Sequence, residues 1–494
     1  MRQTLDEAHR LEAQGRIREA IAAYEAAASF DPDNVAALLG LGSLLRRSGE
    51  AAEARAKLER AAKLAGRDYR VWCELGLARA DAGDLAGARD ALAQSLRLNR
   101  DFAQGHLFLA QVELAAGAAQ AAIDSARRAV AKSPRLVDAH LVLGMACVAA
   151  GRLDDAEAAF RKGLELEPNH PGLLLNLGTA ARERGAPDEA ELWFRRAVSA
   201  DRTSLPAAQA LAQVLIDTAR HGDALRVLED VRLPQGDVPA GLLLLVGEAL
   251  EGLGRSREAE GAYRAAVQRQ PTLEEGWCNL FELVRRGGGH AGAREIAQGA
   301  LCALPRSAEI RALHAAAFFD SADADGGLAA LEDALREGIH SARLYTLLGG
   351  ALRVRNRPGE ALAALDRALA LAPRDGAALA EAALARHTIG ETDAGLTLAR
   401  QAIEAAPDGP AGFLALGAIL LDRHAWPEAR DVFTRARNLA PTIADAAAGL
   451  ARALLGLGDV EAAAERCREA LALDPRHPEA NRVYTELAML RTRP

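Results

Sequence analysis

Apolar and small residues return at fixed intervals along this chain, and the interval is a unit of about thirty-four residues. In Val137–His170, Leu143, Gly144, Gly151, Ala156, Phe160, Gly163 and Pro168 stand at places seven, eight, fifteen, twenty, twenty-four, twenty-seven and thirty-two of such a unit. The spacing predicts two helices separated by a short turn. Gly144 on the first and Ala156 on the second carry almost no side chain, so the axes can approach to about 8–10 Å. Leu143 and Phe160 fill the space beside that crossing, Gly151 frees the turn, and Pro168 ends the second helix.

The units can be stepped off in register. Gly42, Gly76, Ala110, Gly144 and Gly178 hold place eight, while Ala54, Ala88, Ala122, Ala156 and Ala190 hold place twenty. After one inserted residue near Pro239 the phase resumes with Gly247, Gly349 and Gly417, with Ala259, Ala293, Ala361, Ala429 and Ala463, and with Pro271, Pro305, Pro373, Pro407, Pro441 and Pro475 at place thirty-two. About fourteen units span Met1–His477. In this spacing the chain resembles the tetratricopeptide repeat family, which implies an all-α, right-handed α-solenoid of helix-turn-helix repeats. Repeats one to seven occupy residues 1–238 and repeats eight to fourteen residues 239–477 of one continuous solenoid, with residues 478–494 left for a capping helix whose inner face carries Val483, Leu487 and Leu490.

Repeats two to six are the most regular. Repeat seven has Ala212 where glycine is usual, and the stretch Leu233–Gly241 that follows it, with two prolines and two glycines, is the expected bend. Repeat nine has three glycines in its turn, Gly287 to Gly289. Repeat ten departs furthest, with His314 at place seven and Gly327 in place of alanine, so local stability is expected to dip there.

Composition narrows the function. The chain of 494 residues is 50% hydrophobic and 4% aromatic, with a formal net charge of -8 and no basic stripe, which argues against a nucleic-acid partner. Its five cysteines are odd in number and lack C-x-x-C spacing, which points to a reducing compartment. The opening residues MRQTLDEAHR have no apolar core of a signal peptide, and the most apolar run, Leu242–Val246, is too short to span a bilayer. A cytoplasmic protein without membrane insertion is expected. Cys147 and Cys467 fall at filling places and read as buried thiols, whereas Cys73 and Cys278, after Trp72 and Trp277, are expected to open into the groove.

No catalytic set and no cofactor loop stands out. Ser321, Asp323, Asp325, Gly326 and Glu332 match part of an EF-hand calcium loop, against the plainer reading of Asp323 or Asp325 as a helix cap. His106 and His140, both at place four, read as packing residues ahead of metal ligands, since no third ligand accompanies them.

The resemblance implies that first helices line a concave face through places two, five, nine, twelve and thirteen. Place five reads Leu39, Cys73, Leu107, Leu141, Leu175, Gln209, Leu244 and Cys278, an apolar strip flanked by Arg46, Arg47, Arg182, Arg285, Arg286 and Arg353 with Glu183, Glu248 and Glu282 between them. Such a surface suits an amphipathic helix or an extended peptide with apolar anchors and acidic flanks; the competing expectation is that part of the strip packs between neighbouring first helices. The lysine and asparagine set with which chaperone-binding members clamp a terminal carboxylate is missing, and only Asn176 and Asn279 occupy the place of the asparagine ladder found beside glycosyltransferases. The chain therefore reads as a non-catalytic scaffold for protein or peptide partners; the alternative is the recognition arm of a transferase or oxygenase whose catalytic domain lies elsewhere.

Overall fold

A computed structural model describes residues 2–231 and 238–491, which form twenty-nine helices and, among the described residues, no strand. The expected bend at Leu233–Gly241 lies largely outside the described residues. The chain divides into two compact units, Met1–Val238 with Glu248–Arg255, and Pro239–Gly247 with Ser256–Pro494. Each is an all-α stack of helical hairpins.

Repeat five shows how one hairpin forms. Its helices run Val137–Ala149 and Leu153–Leu166. Gly151 has φ +70° and its amide donates to the carbonyl of Val148, while Arg152 N–H reaches back to Cys147 O, closing the last turn before the chain reverses. At the crossing, a methyl group on Gly144 would overlap the ring of Phe160, and both Ala156 and Phe160 are wholly buried. Gly178 stands in the same way against Phe194, Gly247 against Tyr263 and Gly417 against Phe433. Small residues are thus required on one helix because large ones project from the other.

The left-handed turn residue recurs at place fifteen of all fourteen repeats, including four that are not glycine: Ala219, Ala322, Asn356 and His424, with φ between +57° and +59°. L-residues tolerate this conformation at a cost, so these turns are held by the packing on either side. First helices begin on polar caps where the sequence offers one: Asn34 accepts from Ala37 N–H, Ser307 from Ile310 N–H and Ser341 from Leu344 N–H.

Successive hairpins are tied by a bond that the spacing alone does not reveal. From place four of a first helix, a side-chain N–H reaches the carbonyl of place thirty-two in the preceding repeat. Trp72 Nε1 donates to Gly66 O at 2.9 Å, Trp277 Nε1 to Pro271 O at 2.9 Å and Arg311 Nε to Pro305 O at 2.8 Å. His106 Nε2 meets Arg100 O at 3.1 Å and His140 Nε2 meets Pro134 O at 2.9 Å, which requires the proton on Nε2. The two histidines are therefore clasps between repeats, not metal ligands.

Repeat ten compensates for its departures. Gly327 replaces alanine because Phe319, from the first helix, fills the crossing and would collide with a methyl group there. Gly326 makes the same room for Phe318. At the C-terminus, Pro478–Arg491 is one helix that covers the last repeat with Ala480, Val483 and Leu487. Cys467 Sγ donates to Ala480 O at 3.2 Å beneath it. Leu490, expected on the same inner face, is 43% exposed because it lies in the last turn, beyond the end of the repeat below.

Candidate functional site: the groove of repeats ten to fourteen

A groove of about 1200 Å³ lies wholly within the second unit, lined mainly by first helices of repeats ten to fourteen and by the C-terminal helix, with Ala324, Leu328, Trp426 and Phe433 from second helices. Its floor is built from repeat twelve, Gly376–Thr388, and repeat thirteen, Pro410–Asp422. Ala377, Ala380 and Leu384 from the one, with Ala411, Leu414, Ala418 and Leu421 from the other, face the opening. The spacing of three and four residues keeps each set on one helical stripe. Leu384, Leu414 and Leu421 are half-buried, so their outer surfaces remain available.

The walls are charged but already paired. Arg353 Nε donates to Glu381 Oε2 at 2.9 Å, joining repeats eleven and twelve, and Arg452 Nη1 to Glu486 Oε1 at 2.6 Å, joining repeat fourteen to the C-terminal helix. Asp422 Oδ2 meets His387 Nε2 at 2.9 Å and Asp445 Oδ1 meets His477 Nε2 at 3.0 Å. Both carboxylates are largely exposed and have an imidazole, not a guanidinium, as their partner.

Of the twelve residues expected to bind a partner, Arg353 alone lines this groove. Cys73, expected to be open, is buried among Ala88, Leu92 and Leu96, and burial pushes its thiol up to about 12. Leu107 is packed with Ala126, Ala129 and Val142, and Leu244 is 6% exposed. Cys73 and Leu107 are covered from two sides, by the second helix of their own repeat and by the first helix of the next. Leu141 and Leu175 are half-buried against their own cores, and Cys278 is half-buried with its thiol raised by burial. The arginines are held by neighbours: Arg46 by Glu74 and Asp81, Arg47 by Glu12, and Arg285 and Arg286 by Glu282. Arg182 is exposed on the first helix of repeat six.

Sequence reasoning missed the groove because the place-five strip was followed only to Cys278. Continued, it reads Ala312, Thr346, Ala380, Leu414 and Ala448, and the short side chains are the signal.

The calcium reading fails on geometry. Ala324–Arg336 is a continuous helix, Asp323 caps it by accepting from Gly326 N–H at 2.9 Å, and Asp325 pairs with Arg355 at 2.5 Å. Among the described residues no three His, Cys, Asp or Glu side chains are placed to hold a metal ion. No helix among them is long and apolar enough to cross a membrane.

Comparison with known proteins agrees with this architecture. A family model described as Tetratricopeptide repeat matches residues 5–69, 73–136, 138–204 and 312–376, and a second with the same description matches 420–487. No curated protein matches the chain. Among solved structures, the APC/C hetero-tetramer Cut9-Hcn1 is similar at 15% identity over 97% of this chain and 95% of that one, with a TM-score of 0.50. PilF of Pseudomonas aeruginosa is similar at 20% identity over 43% of this chain and 96% of its own, TM-score 0.38. YrrB, titled a TPR protein with an unusual peptide-binding site, is similar at 19% identity over 38% of this chain and 96% of its own, TM-score 0.32.

Proposed function

The chain belongs to the tetratricopeptide repeat family, and on that premise we propose that it is a non-catalytic scaffold holding a segment of a partner protein in the groove of repeats ten to fourteen. The observation that carries this reading is the floor itself, an open stripe of alanine and leucine on two adjacent helices, walled in part by the ion pairs Arg353–Glu381 and Arg452–Glu486. Burying such a stripe is favourable by about 25 cal/mol per Å², and no wall ion pair has to be broken to do so.

A photo-crosslinking residue placed at position 418 in the full chain, with a second copy placed at position 141 as the comparison, tests the site in native cells. Cross-linked partner peptides are expected from position 418. Partner peptides obtained only from position 141 would move the binding surface to the N-terminal repeats and defeat the assignment.

A further inference from the structure

We infer, resting on that reading of the groove, that its occupant is an amphipathic helix of about 10–14 residues whose apolar stripe is bordered by Lys or Arg, rather than an extended peptide. The backbone decides between the two. The floor is made of helices, whose N–H and C=O groups are satisfied internally, and the groove lining contains no Asn or Gln. An extended segment laid on Ala380, Leu384, Ala411, Leu414, Ala418 and Leu421 would face its own N–H and C=O groups against alkyl carbon on that floor, with only the charged wall side chains within reach to receive them. A helix arrives with its backbone already hydrogen-bonded.

The side chains point the same way. Ala411, Leu414, Ala418 and Leu421 are separated by three, four and three residues, which is the seam of a coiled coil, and Ala380 with Leu384 adds a parallel row on the next helix. Two such rows side by side make the trough into which a third helix packs its own knobs. From Ala411 to Leu421 that trough is about 15 Å long, the rise of ten helical residues.

Charge sets the border of the occupant. Arg353, Arg452 and Arg482 are matched by Glu381, Glu486 and Glu479, and Arg355 by Asp325, so every guanidinium of the lining has a carboxylate partner. Asp422, at the end of the trough beside Leu421, and Asp445, on the neighbouring first helix, are each 72% exposed and have only a histidine beside them. The complementary ligand is basic, the opposite of the acidic flanks expected from the N-terminal arginines.

The test is a display selection against the full chain, using 14-residue segments with Ala, Leu, Ile, Val or Met at heptad positions and Lys, Glu or Gln elsewhere. A matched library carries a central proline. Winners are expected to be Lys-rich, to lose at least tenfold in affinity when a proline is inserted, and to lose at least tenfold on Ala418→Arg or, as a second variant at a more exposed site, Ala377→Arg. The double variant Asp422→Lys, Asp445→Lys is expected to weaken them severalfold, more so at low salt. Helical circular dichroism and the melting temperature establish that each variant is folded. Proline-tolerant winners that Ala418→Arg and Ala377→Arg still abolish would overturn the helix while leaving the groove reading intact. Winners insensitive to both variants would overturn the groove reading too, and Glu-rich winners, or none, would overturn the occupant inferred here.

Discussion

Gly144 faces the ring of Phe160 so closely that a methyl group on the glycine would lie inside the ring's van der Waals envelope. Adding that methyl forces the ring off its rotamer or the helices apart, and overpacking of this kind costs about 1–3 kcal/mol. Gly144→Ala should therefore speed amide exchange across Val137–Leu166. Phe160→Ala alone should cost roughly 3–5 kcal/mol through the cavity it opens. Combined, the two should cost clearly less than their sum, because the new methyl enters the new space. Simple additivity would mean that the two residues are not packed as described.

The turn at place fifteen supplies a paired comparison. Gly151→Ala puts an L-side chain at φ +70° and should lower stability by about 1 kcal/mol. Ala322→Gly, at φ +58°, removes that strain while loosening the unfolded chain, so its effect should be near zero or slightly stabilising. Hydrogen exchange in repeats five and ten reads both changes, and equal losses at the two sites would contradict the account of the turn.

The clasp at place four predicts a pH effect with a definite sign. Burial is the main cause holding the His106 imidazole below its usual range, and its carbonyl partner Arg100 O only partly offsets this. The unfolded chain thus takes up a proton more readily than the folded one. The stabilising contribution is complete above about pH 6.5, the unfolded value, and is lost as pH falls from there through the lower folded value. His106→Trp keeps an N–H donor, as Trp72 does one repeat earlier, and should flatten this part of the acid limb of the melting curve. His140→Leu should cost about 1 kcal/mol, since Pro134 O loses its donor.

Thiol accessibility separates the cysteines into groups. Cys302 is exposed, Cys278 is half-buried, and Cys73, Cys147 and Cys467 are buried, with burial raising the thiols of Cys73, Cys147, Cys278 and Cys467. A thiolate-selective reagent at pH 8 should label Cys302 first and Cys278 more slowly. All five should react after unfolding in guanidinium. Mass spectrometry of the labelled peptides reads the order, and early labelling of Cys73 would return it to the open position first expected of it.

The repeats were legible because their determinants are local and recur: a glycine at the crossing, a glycine in the turn and a proline after the second helix each leave a mark at a fixed place. The groove was harder to read because openness is decided by a neighbour. Leu107 and Leu414 occupy the same place in their repeats, yet Leu107 is covered while Leu414 remains half-open. Small residues around Leu414, above all Ala380 and Ala418, leave the space that an apolar count passes over. Repeat ten misled for a related reason. Gly327 looked like a weak point, but the filling residue had moved to Phe319 on the opposite helix. His106 and His140 were read as packing residues because the acceptor for each is a backbone carbonyl, which no residue letter announces.

Because all fourteen connections share a residue with φ near +60° to +90° at the same place, the joints are interchangeable. A gene of this kind can gain or shed whole modules by unequal recombination and still encode ends that meet. The number of repeats is then free to evolve separately from the side chains that any one repeat presents.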